Sequence, residues 1–192
     1  MFGFQRTGDD FWAAGEQMTR GFILGATAGR TTLTGEGLQH MDGHSPLLAA
    51  TNPAVVSYDP AFAYEIAHLL LEGIDRMYGP DRGEDVMYYL TIYNEPISQP
   101  AEPADLDVEG LHKGIYLYEK AAGGDHEVSV LASGIGMQQA LRAKEILWDE
   151  YNIGTNIFSV TSWVELAREG HEKSRQNLRH PENPPEEAFA TK

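Results

Sequence analysis

The sequence predicts an α/β fold class, and three observations favour it. Short apolar segments alternate along the chain with longer segments whose apolar residues recur at helical spacing. The 192 residues are enough for one or two domains with a buried core, at roughly 150 residues per domain. A hydrophobic content of 42% with 10% aromatic residues excludes a disordered chain. Strands that alternate with helices indicate parallel sheets covered on both faces.

In the first half of the chain, apolar patterning defines one unit. The predicted elements are, in order, a helix over 4–20, strands over 22–26 and 55–58, a helix that starts after Asp59, and a strand over 86–93. Asp59 is expected to be the N-cap of the second helix and Pro60 its first residue, because the proline ring fixes a helical φ. Gly79 is expected to end that helix.

The second half reads as another α/β unit. Its predicted elements are a short segment over 112–121, strands over 128–132 and 157–161, a helix over 137–151 and a final helix. Ser162 and Glu165 form a capping-box pattern that opens the final helix, and Gly170 is expected to end it.

Proline-rich segments suggest the division of the chain. Residues 96–103 hold three prolines and acidic residues follow them, so 96–111 is predicted to be an extended linker between domains over 1–95 and 112–192. The segment from His180 to Lys192 reads as a polar tail or a cut end.

The charge and cysteine content narrow the range of partners. The 14 basic and 29 acidic residues give a net charge of −15, which argues against nucleic acid or an anionic membrane surface as the main partner. The absence of cysteine excludes disulfides, thiolate metal sites and a cysteine nucleophile. This composition is compatible with a cytoplasmic protein.

The segment 27–52 is the main candidate for chemistry. It has no clear period, is rich in glycine and follows a predicted strand, where loops of α/β sheets usually bind ligands. Glu36, His40, Asp42 and His44 concentrate proton-transfer groups within nine residues. The alternative is that both histidines are surface residues bonded to Asp42.

Two other functions are compatible with the residues. His40, Asp42 and His44 offer three nitrogen or oxygen ligands, as a metal-dependent hydrolase needs, although three residues without a second cluster form no strong signature. His68 is better explained as a core or flank histidine. A non-catalytic α/β interaction module with an unpaired sheet edge is the third possibility. The turn at Gly134 and Gly136 has the form of a phosphate cradle, and a tight strand-to-helix turn explains it equally well.

Five blocks of the sequence, 1–9, 29–45, 57–60, 113–116 and 159–168, follow one another in a fixed order along the chain. Together they resemble one family, the homodimeric bacterial pyruvate dehydrogenase component, which is the thiamine-diphosphate-dependent decarboxylating subunit of the pyruvate dehydrogenase complex. Members of that family are several times longer. The resemblance implies a partial transketolase-like pyrimidine-binding domain followed by part of the α/β carboxy-terminal domain, with Met1 an internal residue of a longer parent.

The same resemblance implies site roles. Phe2 is expected to pack against the aminopyrimidine ring of the cofactor, with Asp42 also on the cofactor side. His40 is expected to hydrogen-bond the substrate and reaction intermediates, with Glu36 and His44 in supporting catalytic roles. None of these residues is expected to hold a metal.

The implied cofactors are thiamine diphosphate and Mg²⁺, both of which need segments outside this chain. The implied partners are pyruvate, the second subunit of a homodimer and the lipoyl domain of dihydrolipoyl acetyltransferase, without nucleic acid or membrane. The parent would be a cytoplasmic enzyme, and the fragment alone is expected to be inactive.

Overall fold

The computed structural model describes residues 3–26, 44–93 and 95–191. In these ranges the helices and strands are α1 (Gly8–Glu16), β1 (Gly21–Gly25), α2 (Ser45–Ala49), β2 (Val55–Tyr58), α3 (Ala63–Tyr78), β3 (Met87–Thr91), α4 (Val108–Lys113), β4 (Tyr116–Glu119), β5 (His126–Ala132), α5 (Gly136–Tyr151), β6 (Ile153–Ser159) and α6 (Trp163–Arg179). The α/β fold class is therefore confirmed. None of the helices in the described ranges is long and apolar enough to cross a membrane.

The first sheet has the order β1-β3-β2, and both outer strands run parallel to β3. Alternate residues of the buried central strand face opposite layers. Tyr88 shares a core cluster with Leu69 of α3, whereas Tyr89 belongs to the cluster of Phe4 and Phe11. The rings of Phe4 and Phe11 stack with their centroids 4.1 Å apart. The sheet is thus covered on both faces, as the sequence predicts.

The second sheet has the order β4-β6-β5 and is mixed. β5 runs parallel to β6, but β4 runs antiparallel to it. The prediction of parallel sheets is wrong for β4. Only residues 120–125 connect β4 to β5, which is too short for the helical crossover that a parallel arrangement of consecutive strands requires. On this sheet, Met137 and Ala140 of α5 pack with Ile157 of β6.

Three predicted helices have different ends in the structure. The helix predicted over 4–20 is a 3₁₀ turn over Phe4–Arg6 followed by α1 over Gly8–Glu16, and the chain leaves the helix before Met18, whose φ is 56°. α3 begins at Ala63 with Phe62 as its N-cap, because the Asp59 carboxylate is bound by side chains at the end of β3 instead. α6 continues past Gly170 to Arg179. A single glycine costs a helix only about 1 kcal/mol, and the strong helix formers that follow it outweigh that cost. The end of α3 at Gly79 and the Ser162 cap of α6, whose Oγ accepts from Glu165 N at 3.0 Å, are confirmed.

The predicted linker lies along α3. Gln99 Oε1 accepts a hydrogen bond from Ala63 N at 2.9 Å, which satisfies a backbone donor at the start of the helix. Glu102 Oε2 lies 3.1 Å from His68 Nε2. The last four residues of the predicted linker already belong to α4. The segment is therefore attached to the first unit, and the domain boundaries themselves stay a prediction.

The C-terminal segment folds back onto α6. Asn177 makes two hydrogen bonds with the backbone of Glu186, at 2.8 and 2.9 Å. Farther along, Phe189 N donates to Glu169 Oε2 at 2.9 Å, and the Lys113 ammonium lies 4.7 Å from the centroid of the Phe189 ring. These contacts give the polar tail a defined path.

Candidate active site

The carboxyl ends of β1, β2 and β3 meet at one edge of the first sheet, because the three strands are parallel. The candidate segment leaves this edge from the end of β1 and leads along the chain to His44 and α2. Ligands of α/β sheets bind outside the carboxyl ends of the strands. The predicted chemical segment therefore leaves the sheet from the edge where a ligand site is expected.

Most of the predicted site residues lie outside the described residues: Phe2, Glu36, His40 and Asp42. Of the predicted set, His44 is described. It is exposed, it precedes α2, and its carbonyl accepts the Leu48 N–H at 3.0 Å.

A buried hydrogen bond joins the two chain segments that carry the predicted site. Phe4 N donates to Ser45 Oγ at 2.8 Å. Gly3, which precedes Phe4, has a φ of 61°, a left-handed conformation that glycine adopts without steric cost. Phe4 itself is anchored by its packing against Phe11 and Tyr89. The structure therefore fixes residues 3–4, next to Phe2, beside residues 44–45, at the end of the histidine segment.

A second polar cluster connects the carboxyl edges of both sheets. Thr91 Oγ1 donates to Asp59 Oδ1 at 2.5 Å, and the Tyr93 hydroxyl donates to the same oxygen. The backbone of Asp59 donates to Thr161 O at 2.7 Å and accepts from Gly134 N at 3.0 Å. Burial and the neighbouring carboxylate raise the pKa of Tyr93, so its hydroxyl stays protonated and remains a donor.

The turn after β5, which contains Gly134 and Gly136, packs against this cluster. Gly134 has a φ of +49°, and a Cβ at this position would lie 2.6 Å from Asp59 Oδ1 and overlap the Tyr93 hydroxyl. Its amide donates to Asp59 O, and the amide of Gly136 donates to Ser133 O. The structural explanation of this turn is confirmed, because the protein itself uses the amides that a phosphate would need.

Glu65 is a polar centre that the sequence analysis misses. It is fully buried on α3 and accepts four hydrogen bonds, two at each oxygen. Oε2 accepts from the Ala61 and Phe62 amides at 2.5 and 3.1 Å. Oε1 accepts from Tyr116 OH and Ser159 Oγ, at 2.7 and 2.6 Å. Burial raises the pKa of Glu65, and the hydrogen bonds oppose that shift in part.

The signal for Glu65 in the sequence is a charged residue on the apolar face of an amphipathic helix. Because β4 and β6 supply two of its four partners, the carboxylate ties α3 to the second sheet.

The histidines and carboxylates of the described ranges form no group of three or more that could hold a metal ion. His68 is paired with Glu102 at the edge of α3, as expected for a flank histidine.

His112 is half-buried, and burial lowers its pKa. Its Nε2 atom is buried without a hydrogen-bond partner, which a neutral imidazole tolerates better than a charged one.

Comparison with known families shows which of the functions compatible with the sequence is supported. Residues 1–100 match the family model for the pyruvate dehydrogenase E1 component middle domain. The chain belongs to the pyruvate dehydrogenase E1 component family. Residues 114–185 match the model for the transketolase-like C-terminal domain. The resemblance inferred from the sequence blocks is confirmed.

Curated relatives of this E1 family match nearly the whole chain. The chain is 67% identical over 191 residues to the pyruvate dehydrogenase E1 component of Corynebacterium glutamicum, and the match covers 100% of the chain and 21% of the relative. The identity is 56% over 193 residues for Mycobacterium tuberculosis, with 100% and 21% covered. It is 50% over 181 residues for Escherichia coli K12, with 94% and 20% covered. The chain therefore spans about a fifth of the length of these relatives.

Solved transketolases share the fold of this E1-family chain. Transketolase from Campylobacter jejuni superposes with a TM-score of 0.66 at 14% identity and covers 88% of this chain and 24% of its own. A transketolase mutant from Pichia stipitis gives 0.51 at 15% identity, with 71% and 18% covered. At these identities the likeness shows the fold alone, and it confirms the transketolase-like α/β class.

Proposed function

We propose that this chain is part of a pyruvate dehydrogenase E1 subunit that decarboxylates pyruvate and reductively acetylates the lipoyl group of dihydrolipoyl acetyltransferase. The observation that carries the proposal is the family match over residues 1–100, which contain all the predicted site residues. The identity of 50–67% to bacterial E1 components supports it. A metal-dependent hydrolase built on His40, Asp42 and His44 and a non-catalytic interaction module have no such support.

The proposed cofactor is thiamine diphosphate, and one contact beside the carboxyl edge of the first sheet supports a pocket formed by the two predicted segments. The buried bond between Phe4 and Ser45 holds the neighbourhood of Phe2 close to that of His44, as a shared pocket requires. In the proposal, Phe2 packs against the aminopyrimidine ring and Asp42 lies on the same side. When bound, thiamine diphosphate supplies the electron sink for decarboxylation, and the protein supplies orientation and charge stabilisation. Mg²⁺ and the diphosphate would be held by segments outside this chain.

His40 would be the main catalytic side chain of this segment. An imidazole titrates near neutral pH, so it can donate a hydrogen bond to the 2-oxo group of pyruvate as negative charge develops there. It can also exchange a proton with the reacting group. Glu36 and His44 would support this role by orienting the imidazole or by proton transfer.

The partners and location belong to the same proposal. The subunit would act as a homodimer, receive pyruvate and deliver the acetyl group to a lipoyl domain in the cytoplasm. The isolated chain is expected to be inactive, because the metal and diphosphate ligands would lie elsewhere in the parent. Detectable pyruvate decarboxylation by the isolated chain would contradict this part of the proposal.

The experiment that tests the proposal uses the full-length subunit that contains this chain, loaded with thiamine diphosphate and Mg²⁺. His40→Ala should lower kcat for pyruvate-dependent reduction of an artificial electron acceptor by about 10²–10⁴-fold, the usual contribution of a general acid–base group. The dissociation constant of thiamine diphosphate should change little. His171→Ala, at an exposed position of α6, is the matched control and should leave kcat unchanged. Unchanged turnover in His40→Ala would refute the assigned role.

A further inference from the structure

We infer that Arg168 of α6 is a positioning residue for the histidine segment of the proposed active site. The inference rests on the proposed function, since it assigns Arg168 a role in the alignment of His40. The feature that carries it is a juxtaposition: the Arg168 guanidinium of α6, in the second unit, contacts the backbone between the end of α2 and the start of β2, in the first unit. The block around Arg168 belongs to the sequence resemblance, and the proposed chemistry leaves it without a role.

The guanidinium donates to four carbonyl oxygens within residues 49–55. Nη2 donates to the carbonyls of Ala49, Ala50 and Asn52, at 3.1, 3.3 and 2.9 Å. Nη1 donates to the carbonyl of Val55 at 2.7 Å. These residues lie 113 to 119 positions away from Arg168 in the sequence. The contacts therefore fix the relative placement of two elements that the chain itself does not hold together.

The number of these contacts favours an arginine over a lysine. The carbonyls at the end of a helix carry the negative end of its dipole. Those of Ala49 and Asn52 each accept a backbone amide as well, from Asn52 and Val55, so Arg168 adds a second donor to them. A planar guanidinium with five donors can serve several of them at once, whereas an ammonium is a single point of charge. Glu165 Oε1 accepts from Nη1 at 2.8 Å and orients the fork from the same helix. Both side chains are partly shielded from water, with 29% and 22% of their surfaces exposed.

The backbone that Arg168 contacts begins at the C-terminal end of α2, and the N-terminal end of α2 is joined to Phe4 by the Ser45 hydrogen bond. α2 has five residues, far fewer than the roughly 12–15 at which an isolated helix becomes marginally stable. It depends on tertiary contacts, and two of them lie at its ends. Ser45 binds Phe4 N at the start, and Arg168 binds the carbonyls at the finish. His44 immediately precedes α2, and His40 lies four residues before His44.

A displacement of α2 would therefore reach the proposed catalytic histidine through the chain. A misplacement of about 1 Å, caused by a mutation remote from the chemistry, can reduce a rate about 100-fold. Loss of Arg168 leaves His40 itself chemically intact. The expected signature is thus a lower kcat in an enzyme that still folds and still binds its cofactor.

The test compares Arg168→Met and Arg168→Lys in the full-length, thiamine-diphosphate-loaded subunit. The matched control is Arg175→Met, because Arg175 lies on the same helix and pairs with Glu172 at the same spacing, with 3.1 Å between Nη2 and Oε2. Arg168→Met should lower kcat by about 10- to 100-fold per bound cofactor. The KM for pyruvate and the dissociation constant of thiamine diphosphate should change less than about threefold, since binding itself is retained. Arg168→Lys should recover part of the loss, and Arg175→Met should match the wild type.

Hydrogen exchange of the amides in residues 45–52 gives a second readout that does not depend on activity. Exchange should be faster in Arg168→Met than in the wild type and in Arg175→Met, because the anchored turn opens more often. A folded Arg168→Met enzyme with wild-type kcat would overturn the inference. If that variant does not fold, Arg168→Lys decides, and wild-type kcat with wild-type exchange there would overturn it too. Unchanged turnover in His40→Ala would instead refute the proposed function, so the two failures are distinguishable.

Discussion

Replacing Glu65 by leucine should lower the free energy of unfolding by about 3–5 kcal/mol, the usual cost of removing one side of a buried charged network. Four donors converge on this carboxylate: the Ala61 and Phe62 amides, the Tyr116 hydroxyl and the Ser159 hydroxyl. Each buried donor left without an acceptor costs roughly 1–3 kcal/mol. Release of the desolvated carboxylate offsets part of this cost, which is why the estimate lies below the sum of four such terms.

Glu65→Gln is the matched variant and should cost only about 1–2 kcal/mol. Its carbonyl oxygen can take the place of Oε2 and accept from the two backbone amides. Its NH₂ group then faces the Tyr116 and Ser159 hydroxyls, which can rotate and accept. The Tyr116 hydroxyl also keeps its contact with the Tyr64 hydroxyl at 2.6 Å. The leucine variant offers none of these replacements.

Urea unfolding of the chain, followed by tryptophan fluorescence at two protein concentrations, measures the change in the free energy of unfolding for the leucine and the glutamine variant.

The pH dependence of stability gives a further check on Glu65. Burial raises the pKa of Glu65 in the folded chain above its ordinary value of 4.5, so the folded state retains the proton to higher pH than the unfolded state does. The stability of the wild type relative to Glu65→Gln should therefore fall as pH rises above 4.5 through the folded pKa. Equal costs for leucine and glutamine would refute the assignment of Glu65 as a hydrogen-bonded tie between the sheets.

Two other changes test the packing of the units. Gly134→Ala should lower the free energy of unfolding by about 2–4 kcal/mol, because Gly134 has a left-handed φ and a Cβ there would overlap Asp59 and Tyr93. Gly136→Ala is the control, because a Cβ at Gly136 meets no heavy atom closer than 4.0 Å. It should be neutral or stabilising in the same urea titration. Burial lowers the pKa of His112 below 6.5, so the stability of the wild type relative to His112→Gln should increase as pH rises toward 6.5. Equal urea midpoints for the two alanine variants, or a relative stability that does not change with pH, would contradict these accounts.

Local sequence pattern is sufficient to predict most of the strands and helices that the structure describes. The helix predicted over 137–151 corresponds to α5, Gly136–Tyr151, and the strand predicted over 86–93 contains β3, Met87–Thr91. In both segments the spacing of apolar residues reflects burial on a single face or on both faces of an element. Such information lies within a few residues of sequence.

The direction of β4 and the roles of Asp59, Glu65 and Arg168 are not available from local pattern. Asp59 suits an N-cap by residue type, yet its carboxylate is bound by Thr91 and by a tyrosine 34 residues away. Glu65 meets Ser159, which is 94 residues away in the sequence. These partners become known only when the two sheets are packed together, because tertiary contacts override local preference.

The candidate site, like the fold, is predictable from local sequence only in part. The glycine-rich segment and its histidines stand out by composition, and the resemblance assigns His40 its role. The contact between Phe4 and Ser45, which links the two halves of the predicted pocket, joins residues 41 positions apart and has no local signature. The assignments of Phe2, Glu36 and Asp42 remain predictions from the resemblance.

Transplantation of this chain into a relative tests the central claim most directly. In the Corynebacterium glutamicum E1 component, this sequence would replace the 191 matched residues, which are 67% identical to it. If the chain supplies the histidine half of the pyruvate site, the chimera should decarboxylate pyruvate within about tenfold of the parent rate, and His40→Ala in the chimera should remove about 10²–10⁴-fold of that rate. A folded chimera that binds thiamine diphosphate but does not turn over pyruvate, or one whose rate is indifferent to His40→Ala, would contradict the account.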